Sequence, residues 1–295
     1  MLLFRAPRVV ALKAGPSRLE RIVDRLAPQM SRAFVDAAEG ARSQIDLDVL
    51  AANVEAGRVG RIVRQLDMRT FVEDDLTPTM AFLADAYEDG RMLGSVSKAL
   101  ALDLETTNPK ALRAAERQAA ELLTSVDVET KQMIRDLIVR AYREQMTPRD
   151  IAWLVREVIG LNDRQATALF NYRSGLVEDG RAPDQVERMT ERYGAKLLRQ
   201  RADTIAQHEI HGASVRGQKD LWKEGIQEGR IDAGTAKRIW IANVGACPYC
   251  EAIESLNAEG VPVDGQYRTP DGDMIDGPED SHVGCRCSEG LKTEG

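Results

Sequence analysis

The sequence is poor in aromatic residues and in long apolar runs, and each shortage excludes a class of protein. Aromatic side chains make up 5% of the 295 residues, while Ala, Leu, Val, Glu and Arg are abundant, which is typical of long helices rather than of sheets. No stretch approaches the ~18 consecutive apolar residues of a membrane span. The first ten residues contain Arg5, Pro7 and Arg8 and no apolar run of signal length, so we expect a chain that stays in a reducing compartment.

Cysteine is also scarce, but all four cysteines lie in two clusters near the C-terminus. Cys247 and Cys250 form a C-x-x-C pair, and a segment rich in Gly, Pro and Asp separates them from His282, Cys285 and Cys287, which form an H-x-x-C-x-C group. Zinc prefers four nitrogen or sulfur ligands in a tetrahedron, supplied as two close pairs from two turns. The first pair fits one turn, and the second group offers three donors for two places. The five side chains are therefore the candidate zinc ligands, although thiolate-rich sites also suit iron.

Other uses of these cysteines stay open: disulfides or a redox pair, unligated thiols, and a catalytic rather than a structural metal. A catalytic zinc usually works beside a carboxylate base, and Glu251 and Glu254 are near in sequence. The small apolar content favours a structural ion. The large apolar side chains of residues 243–288 are mainly Ile253, Leu256, Val261, Val263, Tyr267, Met274, Ile275 and Val283. So small a core needs a staple, and a structural zinc can supply on the order of 10 kcal/mol.

Basic charge is scarce in the same region. Residues 241–295 carry eleven acidic and three basic side chains, hence a net charge of −8, and since the whole chain has −7 the remainder is near +1. A protein that binds duplex DNA neutralises phosphates with Lys and Arg. The acidic C-terminal segment is therefore a poor candidate for a DNA-reading zinc finger.

Upstream of this segment the sequence predicts helices. Thr147, followed by Pro148, and Asn162 are predicted N-caps. We expect one long helix over residues 184–228 and two consecutive helices between Pro109 and Ala141, separated near Val126. Short strands are predicted over 237–242, 261–267 and 271–275, the last two being joined by Asp-Gly turns.

These elements predict a mainly α protein, with an elongated helical body and a small C-terminal α+β module that zinc staples together. We divide the chain into a basic N-terminal arm (1–16), a helical domain (17–145), a second helical region (146–240) and an acidic metal-binding module (241–295).

Two histidines in the long helix form a separate pattern. His208-Glu209-Ile210-His211 resembles half of a zincin helix, but that motif places its histidines four residues apart, whereas here they are three apart. The simplest interpretation is a polar helix surface, with Glu209 packing against the next module. A second metal or acid–base site is the alternative.

Three blocks of residues, taken in order, carry a family resemblance. The blocks are residues 146–151, 159–169 and 172–173; residues 202–210; and Trp240 followed by the two cysteine clusters. The set resembles the Mu F-like minor head proteins of tailed phages and prophages, also called phage head morphogenesis proteins, and covers roughly residues 145–288. Residues 1–145 match only in being helical. One departure concerns the family's T-I-A-R-T-E block, where Gln207 and His208 replace the arginine and threonine, so whatever that arginine does in relatives is done differently here.

The resemblance implies a minor virion component present in few copies, with residues 146–240 as the helical core of the family and no enzyme activity. Such a protein is expected to bind the portal protein and the major capsid or scaffold protein during head assembly, and to aid DNA packaging or ejection through contact with packaged DNA. Its expected location is the head and portal region of the virion, and the host cytoplasm during assembly. The competing hypotheses are a zinc-dependent hydrolase or nuclease acting on packaged or entering DNA, and a nucleic-acid-binding module.

Overall fold

The chain is mainly helical, as the composition predicts. The computed structural model describes residues 17–65, 77–94 and 109–293, and the arm predicted for residues 1–16 lies outside these ranges. The helices are α1 (Arg18–Ser43), α2 (Leu47–Glu55), α3 (Val59–Gln65), α4 (Thr77–Gly94), α5 (Pro109–Arg143), α6 (Pro148–Glu157), α7 (Asp163–Glu178), α8 (Pro183–Gln227) and α9 (Pro248–Leu256). The strands are β1 (Lys237–Ile241), β2 (Val261–Pro262), β3 (Tyr267–Arg268), β4 (Met274–Ile275) and β5 (Ser288–Lys292). None of the helices in the described ranges combines the length and the apolar character that a membrane crossing requires.

Local sequence chemistry explains where α6 and α7 begin. The Thr147 hydroxyl accepts a hydrogen bond from the backbone amide of Asp150 at 3.2 Å, and Pro148 occupies the first helical position. Asn162 and Gln165 form a capping box, in which each side chain accepts a hydrogen bond from the other's backbone amide, at 2.9 and 3.4 Å. Each cap satisfies amides that the helix itself leaves unpaired. Both predicted N-caps are confirmed.

The prediction of two helices between Pro109 and Ala141 is wrong, because α5 runs without a break for 35 residues. Val126, at the predicted break, is buried together with Thr130 and Met133, and this spacing of four and three residues keeps them on one face of a continuous helix. A break would leave additional backbone groups unpaired. The long helix α8, in contrast, follows its prediction to within one residue at each end.

The chain forms two compact units, each built from separate segments of sequence. One unit comprises the described residues 28–65, 77–81 and 116–206, and its core is helical throughout. The core side chains include Phe34, Leu50, Ile62, Ile134, Leu154, Phe170 and Leu198. Gly160 follows α6 in this unit with φ +82°, and a Cβ there would press on Leu198 and Ala38. The predicted domain boundaries at 145 and 240 stay predictions.

The other unit comprises the described residues 17–27, 82–94, 109–115 and 207–293, and it contains the C-terminal part of α8, helix α9 and the five strands. β1 is the central strand of an antiparallel sheet in the order β2-β1-β5, and β3 pairs with β4 in a separate hairpin. β1 confirms the predicted strand, but the strand predicted over 261–267 is wrong in extent. A turn in which the Gly265 amide donates to the Pro262 carbonyl divides it into β2 and β3.

α4 and α8 approach each other closely in this second unit, because each helix has a glycine at the contact. A Cβ at Gly90 would overlap the backbone carbonyl of Ser214, and a Cβ at Gly217 would overlap the backbone carbonyl of Tyr87. Next to the contact, the Tyr87 hydroxyl donates a hydrogen bond to Asp220 at 2.6 Å. The two glycines therefore set how near the helices come.

We expect Gly217→Ala to lower the free energy of unfolding by about 1–3 kcal/mol, since the added methyl group forces two helix backbones apart. Urea unfolding followed by circular dichroism would measure the loss. Gly175→Ala in α7 is the matched control, because nothing lies within 4 Å of a Cβ there; it should be neutral or stabilising by up to ~1 kcal/mol. Equal stability of Gly217→Ala and the wild-type protein would contradict the close approach.

Candidate metal centre

Two turns present the five candidate ligands. Cys247 is the N-cap of α9, where backbone amides and the helix dipole favour a thiolate, and Cys250 lies in the first turn of the helix. The backbone amide of Cys250 is the main cause that lowers the pKa of the Cys247 thiol. In the second turn, the Cys285 amide donates to the His282 carbonyl at 3.1 Å, and Gly284 adopts φ +79°. This left-handed conformation suits glycine and lets the chain reverse between the two ligands.

The sheet brings the two turns together. β1 leads through residues 242–247 into α9, and β5 begins directly after Cys287. Ile241, the last residue of β1, pairs with Ser288, the first residue of β5. The segments that follow β1 and precede β5 therefore start from the same end of the sheet, although Cys250 and Cys285 are 35 positions apart in the sequence.

The five donors form two groups of three that share Cys250. One group is Cys247, Cys250 and His282, and the other is Cys250, Cys285 and Cys287; within each group the ligand atoms lie within 4.8 Å of one another. The Nε2 atom of His282 lies 3.4 Å from the Cys247 sulfur and 3.2 Å from the Cys250 sulfur. The Cys250 and Cys285 sulfurs are 3.8 Å apart. Each of these groups could bind a metal ion.

His282 is oriented for coordination through Nε2. Its other ring nitrogen, Nδ1, lies 3.1 Å from the Val283 carbonyl oxygen, which can only accept a hydrogen bond, so Nδ1 carries the proton. Metal-bound histidines are commonly held this way, with one nitrogen donating to a carbonyl and the other free for the metal. Burial lowers the pKa of His282, but the Val283 carbonyl and the thiolates of Cys285 and Cys247 outweigh it and raise the pKa overall.

Protons are unevenly distributed over the buried thiols. A hydrogen bond from the Cys287 thiol lowers the pKa of Cys285 to about 5, and the same contact raises the pKa of Cys287. Burial raises the pKa of Cys250 to about 12. A metal ion must displace the protons of Cys250 and Cys287 to bind their sulfurs, so we expect metal binding at neutral pH to release protons.

A small apolar core includes three of the candidate ligands, Cys250, Cys285 and Cys287. Trp240 and Tyr267 meet edge to face with ring centroids 5.3 Å apart, and both pack with Ile253 and the buried cysteines. Three of the six buried residues of this core are cysteines. The core therefore contains few large apolar side chains, as the sequence predicts.

Four buried charged residues form a second group, which contacts this core where Arg238 lies over the Tyr267 ring. We call this group the ionic cluster: Lys219, Arg238, Glu279 and Glu289. Arg238 Nη1 lies 2.6 Å from Glu289 Oε1, and Lys219 Nζ lies 3.3 Å from Glu279 Oε1. Burial raises the pKa of Glu289 to about 7, although the charge of Arg238 opposes the shift. The cluster was not predicted. Its sequence signal is the alternation along β1, which places Arg238 on the same buried face as Trp240.

The two histidines of α8 differ in burial: His208 is half-buried, whereas His211 is buried. His211 is 2% exposed, and its Nε2 atom lies 2.8 Å from the carbonyl oxygen of Cys287, so the prediction of a polar helix surface is wrong for this residue. Burial is the main cause that lowers the pKa of His211. Among the described residues no further group of three His, Cys, Asp or Glu ligand atoms is close enough to hold an ion. Glu254 accepts a hydrogen bond from the Ala242 amide at 3.0 Å.

We expect His282→Ala to weaken zinc binding more than Cys287→Ser. Either change leaves four donors, but the imidazole offers its Nε2 atom to two sulfurs at once. The Cys287 thiol, in contrast, must first lose a proton, since its contact with Cys285 raises its pKa. Competition with a chromophoric chelator would measure both affinities. His282→Ala should exceed the roughly 10–100-fold loss typical of changes around a site. If Cys287→Ser weakened zinc binding more than His282→Ala, Cys287 would be identified as the fourth ligand.

Comparison of the chain with known protein families, with curated proteins and with solved structures finds no match.

Proposed function

We propose that the two turns hold a structural zinc ion. The observation that supports it is the spacing of the donors. With zinc–sulfur bonds of about 2.3 Å and zinc–nitrogen bonds of about 2.0–2.1 Å, tetrahedral geometry puts two sulfurs ~3.8 Å apart and a sulfur and a nitrogen ~3.5 Å apart. The distances of 3.8 Å between the Cys250 and Cys285 sulfurs, and of 3.4 and 3.2 Å from His282 to the first two cysteines, are close to these edges.

A structural role fits this donor set better than a catalytic one. A catalytic zinc keeps one position open for water, whereas here five soft or borderline donors are available for four positions. Glu254, one of the two carboxylates considered as a base, already accepts the Ala242 amide. The small core around Trp240 and Tyr267 also needs an additional source of stability.

The wider proposal is that the chain is a minor head protein of a tailed phage or prophage. Such a protein would bind the portal vertex and capsid during head assembly. The support is the ordered set of residues shared with the Mu F-like family. The two cysteine clusters of that set, distant in sequence, meet at one place. A helical chain with a stapled terminal module suits binding to other proteins, and no enzyme activity is proposed.

The charge of the module points to protein partners more than to DNA. Its exposed acidic residues are Glu251, Glu259, Asp264, Asp271, Asp273, Asp276 and Asp280, whereas Arg268 and Arg286 are its exposed arginines. Such a surface repels phosphates. The partner we propose is the portal protein, with the major capsid or scaffold protein next; contact with packaged DNA would have to use residues outside the module.

Co-expression with the portal protein of the same phage or prophage tests the assembly role. The wild-type chain should co-purify with portal and be found in purified heads at a few copies, and Cys250→Ser should lose both properties. Its absence from heads that contain portal would contradict the proposal. DNA cleavage by the zinc-loaded chain, lost in Cys250→Ser, would support the hydrolase or nuclease instead.

A further inference from the structure

Side chains of α8 form hydrogen bonds to two consecutive residues of the H-x-x-C-x-C segment, Arg286 and Cys287. Gln207 Oε1 accepts a hydrogen bond from Arg286 Nη2 at 3.3 Å, and His211 Nε2 lies 2.8 Å from the Cys287 carbonyl oxygen. Gln207 and His211 are four positions apart and therefore on the same face of the helix. The glutamine that departs from the family pattern is thus one of the two contacts.

A third contact continues along β5. Gln218 Nε2 lies 3.3 Å from the Glu289 carbonyl oxygen, two residues beyond the carbonyl that His211 holds. Carbonyls two residues apart on an extended strand point in the same direction. Side chains of one helix can therefore donate hydrogen bonds to both. β5 is an edge strand, and side chains of α8 supply hydrogen bonds that a neighbouring strand would otherwise supply.

His211 is the most deeply buried member of this series, and its partner is a carbonyl of a candidate metal ligand. A carbonyl oxygen can only accept a hydrogen bond. His211 Nε2 therefore carries a hydrogen and donates a hydrogen bond to the backbone carbonyl of Cys287. The bond restrains the peptide between Cys287 and Ser288, which is where the turn that carries the Cys285 and Cys287 thiols ends. His208, one turn earlier, is half-buried and makes no such bond to the segment.

We propose that His211 is a positioning residue of the metal centre: by holding the Cys287 carbonyl it sets the geometry of the Cys285–Cys287 turn before the ion binds. The proposal rests on the metal site proposed above. Residues that orient metal ligands from outside typically contribute about 10–100-fold to metal affinity. Because the side chain never touches the ion, its loss should change affinity without changing which atoms coordinate.

Cobalt(II) titration of the full-length reduced apoprotein tests this, with the thiolate-to-cobalt charge-transfer band and a competing chelator as readouts. His211→Leu, which keeps bulk but lacks a donor, should bind cobalt about 10–100-fold more weakly, with an unchanged spectrum at saturation. His211→Gln, whose amide N–H can replace Nε2–H, should restore affinity to within a few fold. His208→Ala is the matched control and should bind like the wild-type protein.

The outcomes separate this inference from the metal site itself. Wild-type affinity in His211→Leu, or equally weak binding by the Gln and Leu variants, would overturn the positioning role. A saturated spectrum with a changed band pattern in His211→Leu would also overturn it, since the coordinating atoms would have changed. If the leucine variant does not fold, His211→Ala replaces it in the same comparison with His211→Gln. A wild-type chain that binds no cobalt would instead refute the metal centre.

Discussion

Cys250→Ser should abolish metal binding and unfold the C-terminal module around it. Cys250 belongs to both groups of candidate ligands, so its loss leaves neither group complete. Structural zinc contributes about 10–16 kcal/mol of apparent binding free energy in small modules. The core around Trp240, Ile253 and Tyr267, which itself includes Cys250, is too small to compensate.

Zinc content and amide hydrogen exchange would measure the effect. We expect less than a tenth of the wild-type zinc, and loss of protection across α9 and the second turn, while the helical core of residues 28–81 and 116–206 keeps its protection. Ser255→Ala on α9 is the control, since its exposed hydroxyl only bonds back to the Glu251 carbonyl. A zinc-free variant whose module stays protected and protease-resistant would show that the metal is not what holds the module together.

Arg238→Met should produce the second largest loss, about 3–5 kcal/mol in the free energy of unfolding. Arg238 is 1% exposed and Glu289 is 3% exposed. The guanidinium donates to Glu289 and, at 2.7 Å, to the Asp276 carbonyl, and it also bonds the Gly265 carbonyl. Methionine has no hydrogen-bond donor, so Glu289 stays buried but loses the guanidinium that it contacts. Most of the cost is the penalty of leaving Glu289 and the two carbonyls buried without their partner, whether the carboxyl group is ionised or takes up a proton, and not the strength of the lost pair.

Chemical denaturation of the zinc-loaded protein would measure the change. Arg268→Met in β3, where the side chain is exposed, is the control and should stay within about 0.5 kcal/mol of the wild-type value. The double variant Arg238→Met/Glu289→Leu should recover much of the loss, because it removes both charges. No recovery in the double variant would mean that the bonds from Arg238 to the Asp276 and Gly265 carbonyls, not the pairing with Glu289, carry the stability.

Elements governed by neighbouring residues were predictable. The caps at Thr147 and Asn162 depend on side chains within three positions, and the long helix α8 on its own periodicity. The false break in α5 arose where local preference at Val126 was weak and burial of that residue decided the outcome. β5 was missed because its residues Ser288 to Lys292 show no clear alternation; pairing with β1 makes it a strand.

By itself the sequence determined the mainly helical character, the acidity of the C-terminal module and the types of ligand available, because these follow from composition and from residues close together in the chain. Only the tertiary structure decided that Cys250 joins both groups of donors, that His211 reaches the Cys287 carbonyl and that Arg238 is buried against Glu289. These contacts link residues up to 76 positions apart. Local spacing carries no information about such pairs, which are set by the packing of α8 and the sheet.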